Sequence, residues 1–148
     1  RIAYLGECSV ENRYSGYWET LREKGLPFLR ELVWETPQTA EGGERGAVAL
    51  MALEEPPTAI FCANDSVALG AVLGLRKKGL SVPADVAIIS VDDIAPAEMT
   101  HPRLTTIHIP KDDMGRLAVK LLLDRVAGGH SELLQLRLPC RLVVRESV

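Results

Sequence analysis

Four short runs of this chain are built mainly from apolar and β-branched residues: "RIAYL" (Arg1 to Leu5), "LRELVW" (Leu29 to Trp34), "TAIFCA" (Thr58 to Ala63) and "VAIISV" (Val86 to Val91). A strand with one wet face alternates polar and apolar residues. A strand that is apolar throughout must be covered on both faces. Here such runs alternate with segments of helical spacing, which predicts an α/β fold with a mostly parallel sheet and helices on both faces.

The intervening helices carry their own start and stop signals. One is predicted from about Ser9, a suitable N-cap, with Tyr14, Trp18 and Leu21 near one face. It closes in "REKGLP", where basic residues precede Gly25 and a proline follows. Thr39 caps a second helix that runs to about Leu53 through Val48, Met51 and Ala52. A third runs from Asp65 to Lys78 and ends in "RKKGLSVP", repeating the chemistry of the first ending. This is general helix-end chemistry, not an internal repeat.

Beyond Val91 the pattern changes. "LTTIHI" (Leu104 to Ile109) reads as a short strand, and "KDDMGRLAVKLLLDRVAGG" as an amphipathic helix with Met114, Leu117, Leu121 and Val126 on one face. Two alternating stretches, Leu133 to Leu138 and Arg141 to Arg145, flank Pro139-Cys140. They predict strands near a sheet edge, where proline is tolerated.

Composition bounds the function. The chain has 148 residues and a net charge of −3 with both signs interspersed. Nucleic-acid surfaces concentrate basic residues, because neutralising phosphates supplies most of the affinity. No basic patch stands out, so this segment is not expected to touch DNA itself. Cys8, Cys62 and Cys140 are widely spaced and odd in number, which fits neither a disulfide framework nor a zinc-ligand pattern. A reducing cytoplasm suits them. No apolar run approaches the ~18 residues of a membrane span, and "RIAYLGECSV" lacks the layout of a signal peptide. The chain opens without methionine inside an apolar run, so a longer protein is expected.

In an open parallel sheet, the loops leaving the carboxyl ends of the strands line a common crevice where ligands bind. Asn64 and Asp65 follow the third strand, Asp92 and Asp93 the fourth, and Asn12 and Arg13 lie beyond the first. A guanidinium, an amide and a carboxylate brought together would suit a polyhydroxylated ligand, since each hydroxyl can donate to the carboxylate and accept from the others. Simpler roles stand beside this one. Asp65 serves as an N-cap, Asn64 caps or faces ligand, and Arg13 alone is an ordinary solvated arginine. Adjacent Asp92 and Asp93 in extended chain point to opposite sides, so they do not form an acid/base dyad. His101, His108 and His130 are scattered, and no nucleophile has a base partner. No catalytic signature is found, no enzyme is expected, and no metal or cofactor is implied.

The stretch "PTAIFCANDSVALG", followed by "GLSVPADVAIISVDD" and "PRLTTI", resembles the signature of the lac/galactose repressor (LacI/GalR) family of bacterial transcription regulators. "LPCRLVVRES" resembles the family's C-terminal segment and "RYSGYWETLREKGL" its earlier part, so the likeness spans the chain in order. It implies one lobe of a two-lobed core like that of periplasmic sugar-binding proteins. By this likeness, residues 1–103 form the C-terminal lobe. Residues 104–129 are a strand and helix that complete the N-terminal lobe, and 130–148 return to the C-terminal lobe. A helix-turn-helix domain and most of the first lobe would lie upstream.

By motif position the likeness makes Arg13, Asn64 and Asp92 contacts for a small effector, usually a sugar or related metabolite. Gln38 stands where many members carry an aromatic ring that stacks on the ligand. Ile109-Pro110 replaces a frequent polar contact. Both departures bear on which ligand the site takes. The partners implied are this effector, operator DNA through the upstream domain, and a second copy of the chain, in the cytoplasm. An apolar Met114/Leu117/Leu121 face without its sheet is expected to be exposed or to pair with another copy. The rival readings are a periplasmic solute-binding protein, which shares the fold, and, more distantly, an enzyme using Asp92 as phosphoacceptor or base.

Overall fold

The computed structural model describes residues 1–9 and 12–148. A six-stranded sheet has the order β2-β1-β3-β4-β5-β6. Strands β1 (Ile2–Gly6), β2 (Val33–Glu35), β3 (Ala59–Cys62), β4 (Ala87–Asp92) and β5 (Thr105–His108) run parallel, and β6 (Arg141–Val143) pairs antiparallel with β5. The helices are α1 (Asn12–Glu23), α2 (Ala40–Leu50), α3 (Asp65–Lys77), α4 (Ala95–Met99) and α5 (Lys111–Val126). Parallel strands with helical crossovers are what the apolar runs predicted.

Both faces of the sheet are used, as β1 shows by alternation. Ala3 and Leu5 point into a core with Ile60, Cys62, Ile88, Ala47, Leu50, Val67, Ala71 and Leu75, the side covered by α2, α3 and α4. Tyr4 points the other way, against Tyr17 and Leu21 of α1. The second face is only part covered. Beside α1 an apolar groove of about 630 Å³ runs over Phe61, Ile89, Val91 and Ile107.

The tightest contact is between α2 and α3, and it needs glycine. A Cβ on Gly70 would lie 1.8 Å from the carbonyl oxygen of Ala40, and one on Gly43 2.0 Å from that of Val67. Two backbones can approach this closely only where side chains are missing.

Several expectations shift. The strand predicted at Leu29 to Trp34 starts with a 3-10 turn at Arg30–Leu32, and pairing begins only at Val33. The Arg30 guanidinium donates to the Val33 carbonyl at 2.8 Å, which fits the turned conformation. Thr39 does cap α2, its hydroxyl accepting from Gly42 N–H at 3.1 Å, but the helix stops at Leu50 instead of Leu53. Helix α4 had no sequence signal beyond Pro96 in its first turn. No strand forms at Leu133 to Leu138, where the chain finds no neighbour to pair with; only Arg141–Val143 joins the sheet. The start expected at Ser9 for the first helix runs through residues 10 and 11, outside the described residues; α1 is described from Asn12.

The segment from residue 104 divides in two. Its strand, β5, belongs to the same sheet as β1–β4, while α5 leaves the sheet and has no buried residue. The apolar face of α5 lines a groove of about 490 Å³ with Ile109, Leu136 and Leu138. Met114 stays 50% exposed and Leu122 62%.

Candidate functional site

Because β1 to β5 are parallel, their carboxyl ends share one edge, and every candidate residue falls along it. Gln38 follows β2, Asn64 follows β3, and Asp92 ends β4. Arg13 comes from the first turn of α1, after β1. The edge carries two linked pairs.

The first pair is Asn64 with Gln38. The Asn64 side chain does two jobs. Its Oδ1 accepts from Val67 N–H at 2.9 Å, which makes Asn64 the N-cap of α3. Its Nδ2 donates to Gln38 Oε1 at 3.0 Å. Gln38 Nε2 in turn donates to Glu7 Oε2 at 3.3 Å. An amide fixed at both ends has a settled orientation, with its plane set by Glu7 on one side and Asn64 on the other.

The second pair is Arg13 with Asp92, at 3.9 Å between Nη2 and Oδ1, each side chain 28% exposed. This is a loose ion pair and not a bidentate fork. Asp92 also accepts from Lys111 Nζ through its backbone carbonyl. Since β3 and β4 are neighbours in register, the Asn64 and Asp92 positions are adjacent strand ends. Among the described residues, no direct hydrogen bond joins the Arg13/Asp92 pair to the Asn64/Gln38 pair.

Asp65 corrects the simpler sequence reading. It is not the cap of α3 but its first residue, fully buried and turned inward. Its Oδ1 accepts from Ser90 Oγ at 2.5 Å and Thr106 Oγ1 at 2.6 Å, and Oδ2 accepts from Ile94 N–H at 2.8 Å. One carboxylate thus ties α3 to β4, β5 and the start of α4 beneath the edge. Burial without these donors would be very costly; with three of them it is sustained.

Asp92 and Asp93 point to different partners, as their adjacency predicted. Asp93 meets Arg145 at 2.7 Å and His108 at 2.8 Å. Burial alone would push its carboxyl up. Hydrogen bonds and charge from Arg145 and His108 outweigh that and hold it below the usual carboxylate range. Cys62 behaves as a buried core thiol; burial and the nearby Asp65 push it well up, away from the thiolate.

Sequence reasoning missed three contributors. Glu7 follows β1 as directly as Asn64 follows β3, so the same strand-end rule could have found it. Lys111 and His108 come together with the Asp92-Asp93 turn only through the β4–β5 register, in which Asp92 is paired with His108.

Comparison with known proteins gives a consistent result. A family model described as a periplasmic binding protein-like domain matches residues 1–148. The chain is 40% identical over 123 residues to the HTH-type transcriptional repressor PurR of Actinobacillus pleuropneumoniae serotype 3, covering 83% of this chain and 37% of that protein. A LacI transcriptional regulator structure from Bacillus cereus subsp. cytotoxis superposes with a TM-score of 0.94 at 30% identity, over 100% of this chain and 54% of that one. The transcriptional regulator CelR, solved with cellobiose, gives a TM-score of 0.92 at 34% identity, over 99% and 46%. The chain spans under half the length of the curated relatives it matches. Those relatives are transcription repressors, not enzymes.

Proposed function

The chain belongs to the periplasmic binding protein-like family of LacI/GalR regulators, and from that premise we propose that its strand-end rim senses a small hydroxylated effector on behalf of an upstream DNA-binding domain. The observation that carries the reading is the edge itself: an Arg13–Asp92 ion pair on one strand end, beside an Asn64–Gln38 amide pair on the next. Each pair offers donors and acceptors side by side, the pattern that vicinal hydroxyls match.

In this reading Asp92 accepts from ligand hydroxyls, Arg13 donates to them, and Asn64 contributes while capping α3. Gln38 replaces ring stacking with directed hydrogen bonds, because Glu7 and Asn64 lock its amide. That favours a sugar over a flat nucleobase. A neighbour solved with cellobiose supports the same class. The α5 face and the loop after it would rest against a first lobe encoded upstream, with the effector between the lobes. A ligand that prefers one lobe arrangement shifts that equilibrium by its difference in affinity for the two, and operator affinity follows in a cytoplasmic dimer.

A thermal-shift panel on the full-length protein tests this, with D-glucose, D-galactose, D-ribose, cellobiose, adenine and hypoxanthine. A ligand at a hundred times its Kd stabilises the native state by about 2.7 kcal/mol. A sugar is expected to raise the melting temperature, and Arg13→Ala and Asp92→Ala to abolish the rise. No shift across the panel, or a shift untouched by both substitutions, would contradict the reading.

A further inference from the structure

Asp92 and Asp93 are consecutive non-glycine residues at positive φ, 120° and 53°. Side-chain-bearing residues avoid this region and stay there only where the surroundings hold them. Here the restraints converge on the Asp93 carboxylate. Its Oδ1 accepts from Arg145 Nη2 at 2.7 Å and its Oδ2 faces His108 Nδ1 at 2.8 Å. Its backbone N–H donates to Thr106 Oγ1 at 3.4 Å, and the Thr106 hydroxyl donates onward to buried Asp65. The Asp93 and Arg145 side chains are 11% and 8% exposed, so solvent screens the pair little.

These partners lie on the two segments by which the chain leaves the sheet and returns to it. His108 is the last residue of β5, just before α5. Arg145 follows β6, and its guanidinium also donates to the Leu104 carbonyl at 2.8 Å and to Glu98 Oε1 at 2.7 Å. Asp92, one residue from the carboxylate, faces Arg13 with its side chain and accepts from Lys111, the first residue of α5, with its carbonyl. The adjoining cleft is lined by Lys111, Asp112, Asp113 and Arg116. A turn alone would not need this. Asparagine tolerates positive φ as readily as aspartate, whereas only a charged carboxylate is matched to Arg145 and His108 together.

We propose that Asp93 is the positioning residue of this rim: its carboxylate fixes the backbone that presents Asp92 and ties that backbone to both the exit strand β5 and the return strand β6. The functional consequence rests on Asp92 being an effector contact. A ligand that displaces Asp92 then moves both connecting segments together, through one anchored turn.

Amide hydrogen exchange on the ligand-free, full-length protein tests the clamp. Asp93→Asn keeps the turn preference and volume but removes the charge, and Asp93→Gly relieves the positive φ. Both are expected to speed exchange at least tenfold over Asp92–Ile94, Ile107–Ile109 and Arg141–Arg145, with the amides of Ala47, Ala68 and Ala71 within twofold of wild type. Wild-type exchange in Asp93→Asn would reduce Asp93 to turn geometry and overturn the proposal. Should the Asp93 variants lose protection in the core as well, Arg145 decides. Arg145→Gln is expected to release the same segments and Arg145→Lys to release them less; equal, wild-type rates in both would overturn it. No ligand enters the measurement, so its failure leaves the effector reading standing, and failure to find an effector leaves the clamp standing.

Discussion

Helices α3 and α5 follow their strands directly and carry apolar stripes of similar strength in the sequence, yet their fates differ. In α3, Asp65, Val67, Ala68, Gly70, Ala71, Gly74 and Leu75 are buried. In α5 no residue is buried, although the helix is longer and includes Leu117, Val119, Leu121, Leu122, Leu123 and Val126. Small residues let α3 press backbone to backbone against α2, and a buried carboxylate fixes its first turn. Helix α5 follows Pro110, which supplies no side-chain cap, and meets mainly the loop that follows it. An amphipathic stripe therefore states that a face is to be buried without stating where. The apolar face of α3 is buried within this chain, while the apolar residues of α5 stay largely exposed in it.

The contrast is sharpest at Asp65. Replacing it with alanine strands the Ser90 and Thr106 hydroxyls and the Ile94 N–H in the interior. Equilibrium urea denaturation is expected to show a loss of about 3 kcal/mol. A loss under about 1 kcal/mol would mean that α3 is held by packing alone.

The complementary change sits on α5. Leu117→Ser combined with Leu121→Ser is expected to cost the 148-residue chain less than about 1 kcal/mol, because neither side chain is fully buried. Sedimentation over a range of concentrations should nevertheless show weaker self-association than the parent chain. A strictly monomeric parent with α5 ordered would contradict a role for this stripe in self-association.

The smallest effect is expected in acid. Asp93 is held below its ordinary value in the folded state, so its contribution is complete above the unfolded aspartate value of about 3.9 and is lost as pH falls through the lower folded value. Thermal midpoints should therefore fall more for wild type than for Asp93→Asn between about pH 4 and pH 2. Glu146, depressed by its hydrogen bonds to Arg103, titrates in the same direction in both proteins. Parallel curves would mean that Asp93 is no better held folded than unfolded.

What could be read in advance follows from how local each signal is. Apolar runs and cap residues act over a few positions, so the parallel sheet and the Thr39 cap were legible. So was the strand-end placement of Arg13, Asn64 and Asp92, because a parallel sheet puts those ends on one edge whatever the side-chain detail. Asp65 was misread because its neighbours at 90 and 106 belong to other strands; only the β3–β4–β5 order brings their hydroxyls beneath it. Leu133 to Leu138 alternates like a strand but pairs with none of the six strands. Strand formation depends on a partner, and alternation does not supply one.

The most direct test of the rim is NMR mapping of amide and side-chain shifts in the full-length protein, titrated with the panel compound that gives the largest thermal shift. The rim predicts changes concentrated at Glu7, Gln38, Asn64 and Asp92, along a single edge of the sheet. Changes confined to the α5 groove or to the opposite ends of the strands would contradict it.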